Sequence, residues 1–244
     1  MVINKVIKVS LICLSVLFVY LQIIQSEYYA DLIKTILFLG LTSLFLFDKE
    51  CDCIFFKLFL LLYTVGQILS FATWYIEIDY TNDIDYIYYV ANSLYILSYI
   101  LLIWQILSRL NLREIVSKYY IAIAVLIILD IFCVSIVSAT TEGVLGFYEY
   151  TLEFLYNGVI MALLSVSMIN FMHRDDKRSI NMLMASIFIV FSEIIQLAYF
   201  YVAEYPELNI ISSIFLVFAF TLLYLTAKLE NEEPVDFLEK SLEA

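Results

Sequence analysis

Residues 119–138 read YYIAIAVLIILDIFCVSIVS, twenty positions in which Asp130 is the one acid and no lysine or arginine occurs. A helix of that length rises about 30 Å, the thickness of a bilayer's hydrocarbon core. In lipid every backbone N–H and C=O must be paired inside the segment, so such a run predicts a membrane-spanning helix. Seven more runs recur along the chain: Val6–Gln25, Ala30–Phe47, Ile54–Ile76, Tyr86–Leu107, Tyr150–Met172, Ser179–Val202 and Ile210–Ala227. The expected fold is all-α, a polytopic bundle of eight transmembrane helices. Residues 1–228 form one transmembrane domain and 229–244 an acidic cytoplasmic tail.

Lysine and arginine are retained on the cytoplasmic side of short loops. Lys5 and Lys8, Lys49 and Lys57, the group Arg109, Arg113 and Lys118, the group Arg174, Lys177 and Arg178, and Lys228 and Lys240 all fall at one set of span ends. The opposite ends carry acids: Glu27 and Asp31, then Glu77, Asp79, Asp83 and Asp85, then Glu142 and Glu149, then Glu204 and Glu207. Both termini are therefore expected in the cytoplasm, which requires an even number of spans. Lys34 alone breaks the pattern. No small-x-small cleavage site follows the first span at Gln22–Ser26, so that span is read as retained. The expected location is the cell (inner) membrane.

Composition narrows the function. With 64% hydrophobic residues, 5 Gly and 2 Pro, no extramembrane catalytic domain is expected, and any chemistry lies among the helices. A net charge of -12 argues against nucleic acid as a partner. His173, the only histidine, lies beside Arg174 in a cytoplasmic loop, which excludes a nucleophile–histidine triad and argues against a histidine-ligated metal. Cys51 and Cys53 are one residue apart, no zinc spacing, and with Cys13 and Cys133 they complete the cysteines. Neither a metal nor another cofactor is expected, and the oligomeric state is open.

Ionisable groups deep in a bilayer each cost at least about 2.5 kcal/mol and tend to face the bundle interior. Here they are Lys34, about a turn inside the outer face, and Asp130 and Glu193 near mid-depth. Helical spacing sorts the other polar residues into stripes. The third span carries Tyr63, Gln67, Ser70 and Trp74. The fourth carries Tyr88, Asn92, Tyr95 and Tyr99, the sixth Glu149, Glu153, Tyr156 or Asn157 and Ile160, and the seventh Ser186, Glu193, Gln196 and Phe200. Stripes that converge would line a cavity open to the outer side; stripes that pair off would be interhelical hydrogen bonds holding a dry bundle. Glu193, desolvated and without a cation, is a candidate proton donor, whereas a nearby Lys34 would make an ionised pair able to orient a polar head group. Asp130 has no polar neighbour at helical spacing and is read either as a catalytic candidate or as a partner for another helix. Tyr88 and Tyr201 are read, with other tyrosines at the span ends, as an interfacial aromatic belt. An ion or solute transporter would also use intramembrane charges, but Pro206 and Pro234 lie outside the spans and no inverted repeat is visible.

The order of these positions resembles the YhhN family, whose members include lysoplasmalogenases. That family has a Lys-Pro pair early in the second span, a Gly-Asp pair in the third, a histidine in the fourth, a tyrosine-to-methionine stretch in the sixth and a Ser-Asp pair in the seventh. The matching positions here are Lys34-Thr35, Gly66-Gln67, Tyr99, Tyr156 to Met161 and Ser192-Glu193. One family aspartate is thus Gln67, the other Glu193, and the histidine is Tyr99. The resemblance implies hydrolysis of the vinyl ether bond of a lysophospholipid to a fatty aldehyde and a glycerophospho head group. It implies Glu193 as acid, Gln67 positioning water, and Asp130 or Glu153 standing in for the missing carboxylate. Lys34 would hold the phosphate, with Asn92, Tyr95, Tyr99, Tyr156, Asn157 and Gln196 along the substrate channel. Gln67→Asp would then raise activity. The alternative is a non-catalytic protein of the same fold that binds lipid or plays a structural part.

Overall fold

The computed structural model describes residues 2–47, 54–76 and 85–229, with side chains from residue 8 onward. Outside the described residues lie the side chain of Lys5, Lys49, Cys51, Cys53, Glu77, Asp79, Tyr80, Asp83 and, in the expected tail, 230–244. The described residues fold into eight α-helices with no strand: α1 (Val2–Ile23), α2 (Glu27–Leu46), α3 (Ile54–Ala72), α4 (Tyr86–Leu107), α5 (Leu112–Ala139), α6 (Phe147–Arg174), α7 (Lys177–Tyr201) and α8 (Pro206–Lys228). A single 3-10 turn, Thr73–Tyr75, extends α3. The helices α2 to α8 are each long and apolar enough to cross a membrane, whereas the described apolar part of α1, Lys8–Ile23, is shorter. The described residues are all-helical in their regular structure, and the seven long apolar helices make the chain a multi-pass membrane protein.

Local chemistry sets the helix ends. Asp85 caps α4 by accepting the Tyr88 N–H at 2.8 Å. Glu149 folds back to accept the Gly146 N–H at the start of α6, and Pro206 stands in the first turn of α8, where no N–H is needed. The chain leaves α1 through Gln25 (φ 56°) and α6 through Asp175 (φ 47°), both in the left-handed region. In α5 the backbone is non-helical at Tyr119, the residue at which the apolar run begins, so 112–118 form a separate lead-in. There the Tyr119 hydroxyl donates to the Met172 carbonyl of α6 at 2.8 Å.

Seven helices close a ring: α1 packs on α2, α2 on α3, α3 on α4, α4 on α6, α6 on α7, α7 on α8, and α8 returns to α1. The fifth helix stands outside it against α6, with Ile121, Ile127, Ile128, Ile131 and Phe132 exposed where lipid would lie. The ring is filled by aromatic side chains. Phe38, Phe59, Tyr63, Tyr99 and Phe220 are all buried, with Phe38 and Phe220 rings 4.6 Å apart and Phe38 and Tyr63 4.8 Å apart. Because lipid tails are as apolar as these rings, helix association relies on close packing and interhelical hydrogen bonds. Thr42 meets Thr64 at 2.6 Å, Ser167 meets Ser186 at 2.7 Å, and Ser192 donates to the Ser212 carbonyl at 2.9 Å.

The α6–α7 corner lies beyond the spans. Asp176 accepts the Ser179 N–H at 2.6 Å, capping α7, and pairs with Arg174 at 3.2 Å. Burial would raise its carboxyl, but Ser179 and Arg174 together outweigh that and hold it below the usual carboxylate range. A depressed native value gives stability that is present above the unfolded value, about 4, and is lost as pH falls through the native one. Asp176→Ala is expected to cost about 1 kcal/mol at neutral pH. The wild-type advantage should vanish in acid, as read from thermal unfolding of both proteins in detergent between pH 7 and 3.

Candidate functional site

The four stripes converge. At the end of the bundle where α2, α4 and α6 begin and α3 and α7 finish, they surround a cavity of about 670 Å³. From α3 come Tyr63 and Ser70, from α4 Tyr88, Asn92 and Tyr95, from α6 Glu149, Glu153, Tyr156 and Asn157, and from α7 Glu193, Gln196 and Phe200. The start of α2 adds Asp31 and Lys34. Pockets of about 300–1,000 Å³ suit small molecules and polar head groups. The basic residues Arg109, Arg113, Arg174, Lys177 and Lys228 are at the opposite end.

Glu193 is held where two hydroxyls reach it. The Tyr99 hydroxyl, fully buried on α4, donates to its Oε1 at 3.0 Å, and the Tyr156 hydroxyl approaches from α6. Its neighbour Ser192 points the other way and ties α7 to α8. The field of Lys34 reaches Glu193, yet among the described residues no carboxylate lies within ion-pair distance of the ammonium. Another acid on the cavity wall is Glu153, whose charge interacts with that of Glu193 and whose Oε1 accepts the Asn157 amide at 3.3 Å. Asn157 also reaches the Ser138 hydroxyl on α5 at 3.4 Å. The buried Tyr88 hydroxyl stands beside that of Tyr201, with no partner at hydrogen-bond distance among the described residues.

Three expected site residues are not on the wall. Gln67 is 2% exposed and accepts the Tyr95 hydroxyl at 3.3 Å, so it stands behind that ring rather than against bound water. Gly66 makes the arrangement possible, since a Cβ there would meet the Tyr95 ring at 3.0 Å. Tyr99 lies behind Glu193 instead of lining a channel. Asp130 is outside the cavity altogether: both of its oxygens accept the Ser165 hydroxyl, at 2.9 and 2.7 Å, in the contact between α5 and α6. Lys34, Asn92, Tyr95, Tyr156, Asn157, Glu193 and Gln196 do line it. Tyr88 and Tyr201, read as belt anchors, line it as well. Tyr201 follows Glu193 by eight residues and Asp31 precedes Lys34 by three, both helical spacings that put them on the same faces.

No family model, curated protein or solved structure matches this chain. The site is therefore read on its own chemistry. Among the described residues no group of three or more His, Cys, Asp and Glu is placed to hold a metal ion. Five carboxyl groups of the described residues line the wall. Asp85 and Glu149 are engaged in capping α4 and α6, and Asp31 accepts the Trp74 indole N–H at 2.9 Å. Glu153 and Glu193 remain to give or take protons beside the Lys34 ammonium and a set of amides and phenols.

Proposed function

We propose that this is an eight-span protein of the YhhN type, with both termini on the basic, cytoplasmic side, that hydrolyses the vinyl ether bond of a lysophospholipid held in the cavity. The span count rests on the 22 residues of α1, with Lys8 near its start, and the orientation rests on the placement of basic residues at one end. The observation that carries the reaction is the sharing of one cavity by Glu193, Glu153 and the unpaired Lys34.

Lys34 takes the phosphate as a charge-assisted hydrogen bond. Glu193, as the acid, protonates the alkenyl carbon farther from oxygen, leaving an oxocarbenium ion at the carbon bonded to oxygen. Water adds there while Glu153 accepts its proton. The resulting hemiacetal collapses to fatty aldehyde as Glu153 returns its proton to the leaving glycerol oxygen and the hemiacetal hydroxyl gives its proton to Glu193. Both carboxyl groups are thereby reset, one water is consumed and no redox partner is needed. Two carboxyl groups in unlike environments suit this division, one protonated and one ionised. Tyr99 and Tyr156 orient Glu193, and Gln67 acts by placing Tyr95.

Mass spectrometry of purified protein incubated with 1-alkenyl lysophospholipid, following fatty aldehyde, tests the reading with Glu193→Gln as control. No aldehyde from the wild type would sink the hydrolase. A second reading, lipid binding without turnover, has one observation in its favour: where the family has an acid, Gln67 is buried beneath Tyr95. Intact lysolipid co-purifying with an inactive wild type would support it.

The geometry also reverses the expectation for Gln67→Asp. The shorter carboxylate would lie behind Tyr95, without access to substrate, so no gain in turnover is expected. Glu153→Gln should lower turnover by about 10²-fold. A gain from Gln67→Asp in the same aldehyde assay would put the second acid back on α3.

A further inference from the structure

Lys34 borders three spaces at once. Besides the polar cavity it lines a side chamber of about 130 Å³ between α1, α2, α7 and α8, and an apolar groove of about 280 Å³ between α1, α2 and α8. Leu216 borders both the chamber and the groove. Polarity changes abruptly at this neck. On the cavity side stand Asp31, Glu193 and Gln196, and on the groove side Leu37, Phe38, Leu41, Val217 and Phe220. One face of α2 carries the change, since Asp31, Lys34, Phe38 and Leu41 follow at helical spacing. From Lys34 the groove follows α2 to Leu41, about 10 Å, and α8 from Leu216 to Leu225, about 13 Å.

An occupant of this path must be polar at one end, apolar at the other and negative near the junction. A hydrocarbon tail alone brings no anion to the Lys34 ammonium, and the cavity side, with those five carboxyl groups on its wall, suits a second tail less well than the groove does. We propose that the single tail of the lysolipid leaves the cavity between Lys34 and Leu216 and lies in the α1–α2–α8 groove. This rests on the lysolipid reading of the cavity. The scissile bond, where head and tail join, is then placed at the neck, on the side facing Glu193. Tail length is sensed by the groove and the head group by the cavity.

Two measurements on the full-length protein in liposomes separate the claims. A 16-carbon alkenyl lysophospholipid bearing a diazirine in mid-tail is photolysed on the protein, and the adducts are mapped by mass spectrometry. Adducts on Leu41, Val217 or Thr221 are expected. Adducts confined to the exposed face of α5 would overturn the groove while leaving the cavity reading intact. No adduct and no aldehyde would overturn both. Val217→Trp places an indole in the groove without replacing any residue of the cavity wall. It should lower kcat/KM for the 16-carbon substrate at least about tenfold while a six-carbon alkenyl analogue stays within about twofold. Equal loss with both tails would overturn the proposal.

Discussion

Glu193→Gln is expected to lower aldehyde release by about 10²- to 10⁴-fold, the range for loss of a general acid. The substitution tests proton transfer with little else disturbed. The amide has the shape of the carboxyl, its oxygen can still accept the Tyr99 hydroxyl now at 3.0 Å, and the neighbouring Ser192–Ser212 link is untouched. What the amide cannot do is exchange a proton at any accessible pH. Bound lysolipid should therefore accumulate intact, and kcat should fall with KM nearly unchanged. Turnover within tenfold of wild type would transfer the acid role away from α7.

Lys34→Met should act on binding. Among the described residues the ammonium makes no ion pair in the cavity, so its removal breaks none there, although its field no longer reaches Glu193. Loss of a charge-assisted hydrogen bond to phosphate is worth about 1.5–3 kcal/mol, or roughly 10- to 100-fold in affinity. KM should rise by about that factor, and Lys34→Arg should recover much of it. The check is turnover against concentration for a phosphate-bearing lysolipid and for a phosphate-free alkenylglycerol. If methionine weakens both equally, Lys34 does not hold the phosphate.

The helices and the cavity wall were legible from the sequence because both follow from period. An apolar run of twenty residues announces a span, and polar groups three or four apart share a face, which is why Tyr88, Asn92 and Tyr95 or Glu153 and Asn157 arrive together. Period does not say how deep a side chain sits behind that face. A stripe is wide enough to contain both lining and backing residues, so Gln67 and Tyr99 share stripes with the wall yet stand behind Tyr95 and Glu193. Asp130 has its partner, Ser165, 35 residues away on another helix, and spacing within one helix carries no trace of it. The groove was invisible for a related reason: its walls are ordinary leucines and phenylalanines, and only the meeting of α1, α2 and α8 makes them a path.

That meeting bears on how the protein is made. The contact between α8 and α1 includes the Asn209 amide donating to Gln22 at 3.0 Å, across 187 positions of chain. At ribosomal speeds of about 5–20 residues per second, α1 waits roughly ten to forty seconds for the neighbour that closes the ring. Over most of that interval Lys34 is already inserted without Glu193, and neither the chamber nor the groove exists. A nascent chain therefore cannot capture a lipid at a half-built site. It also leaves α1 and α2 as an uncovered edge, open to insertion chaperones or to the quality-control machinery that removes unfinished membrane proteins.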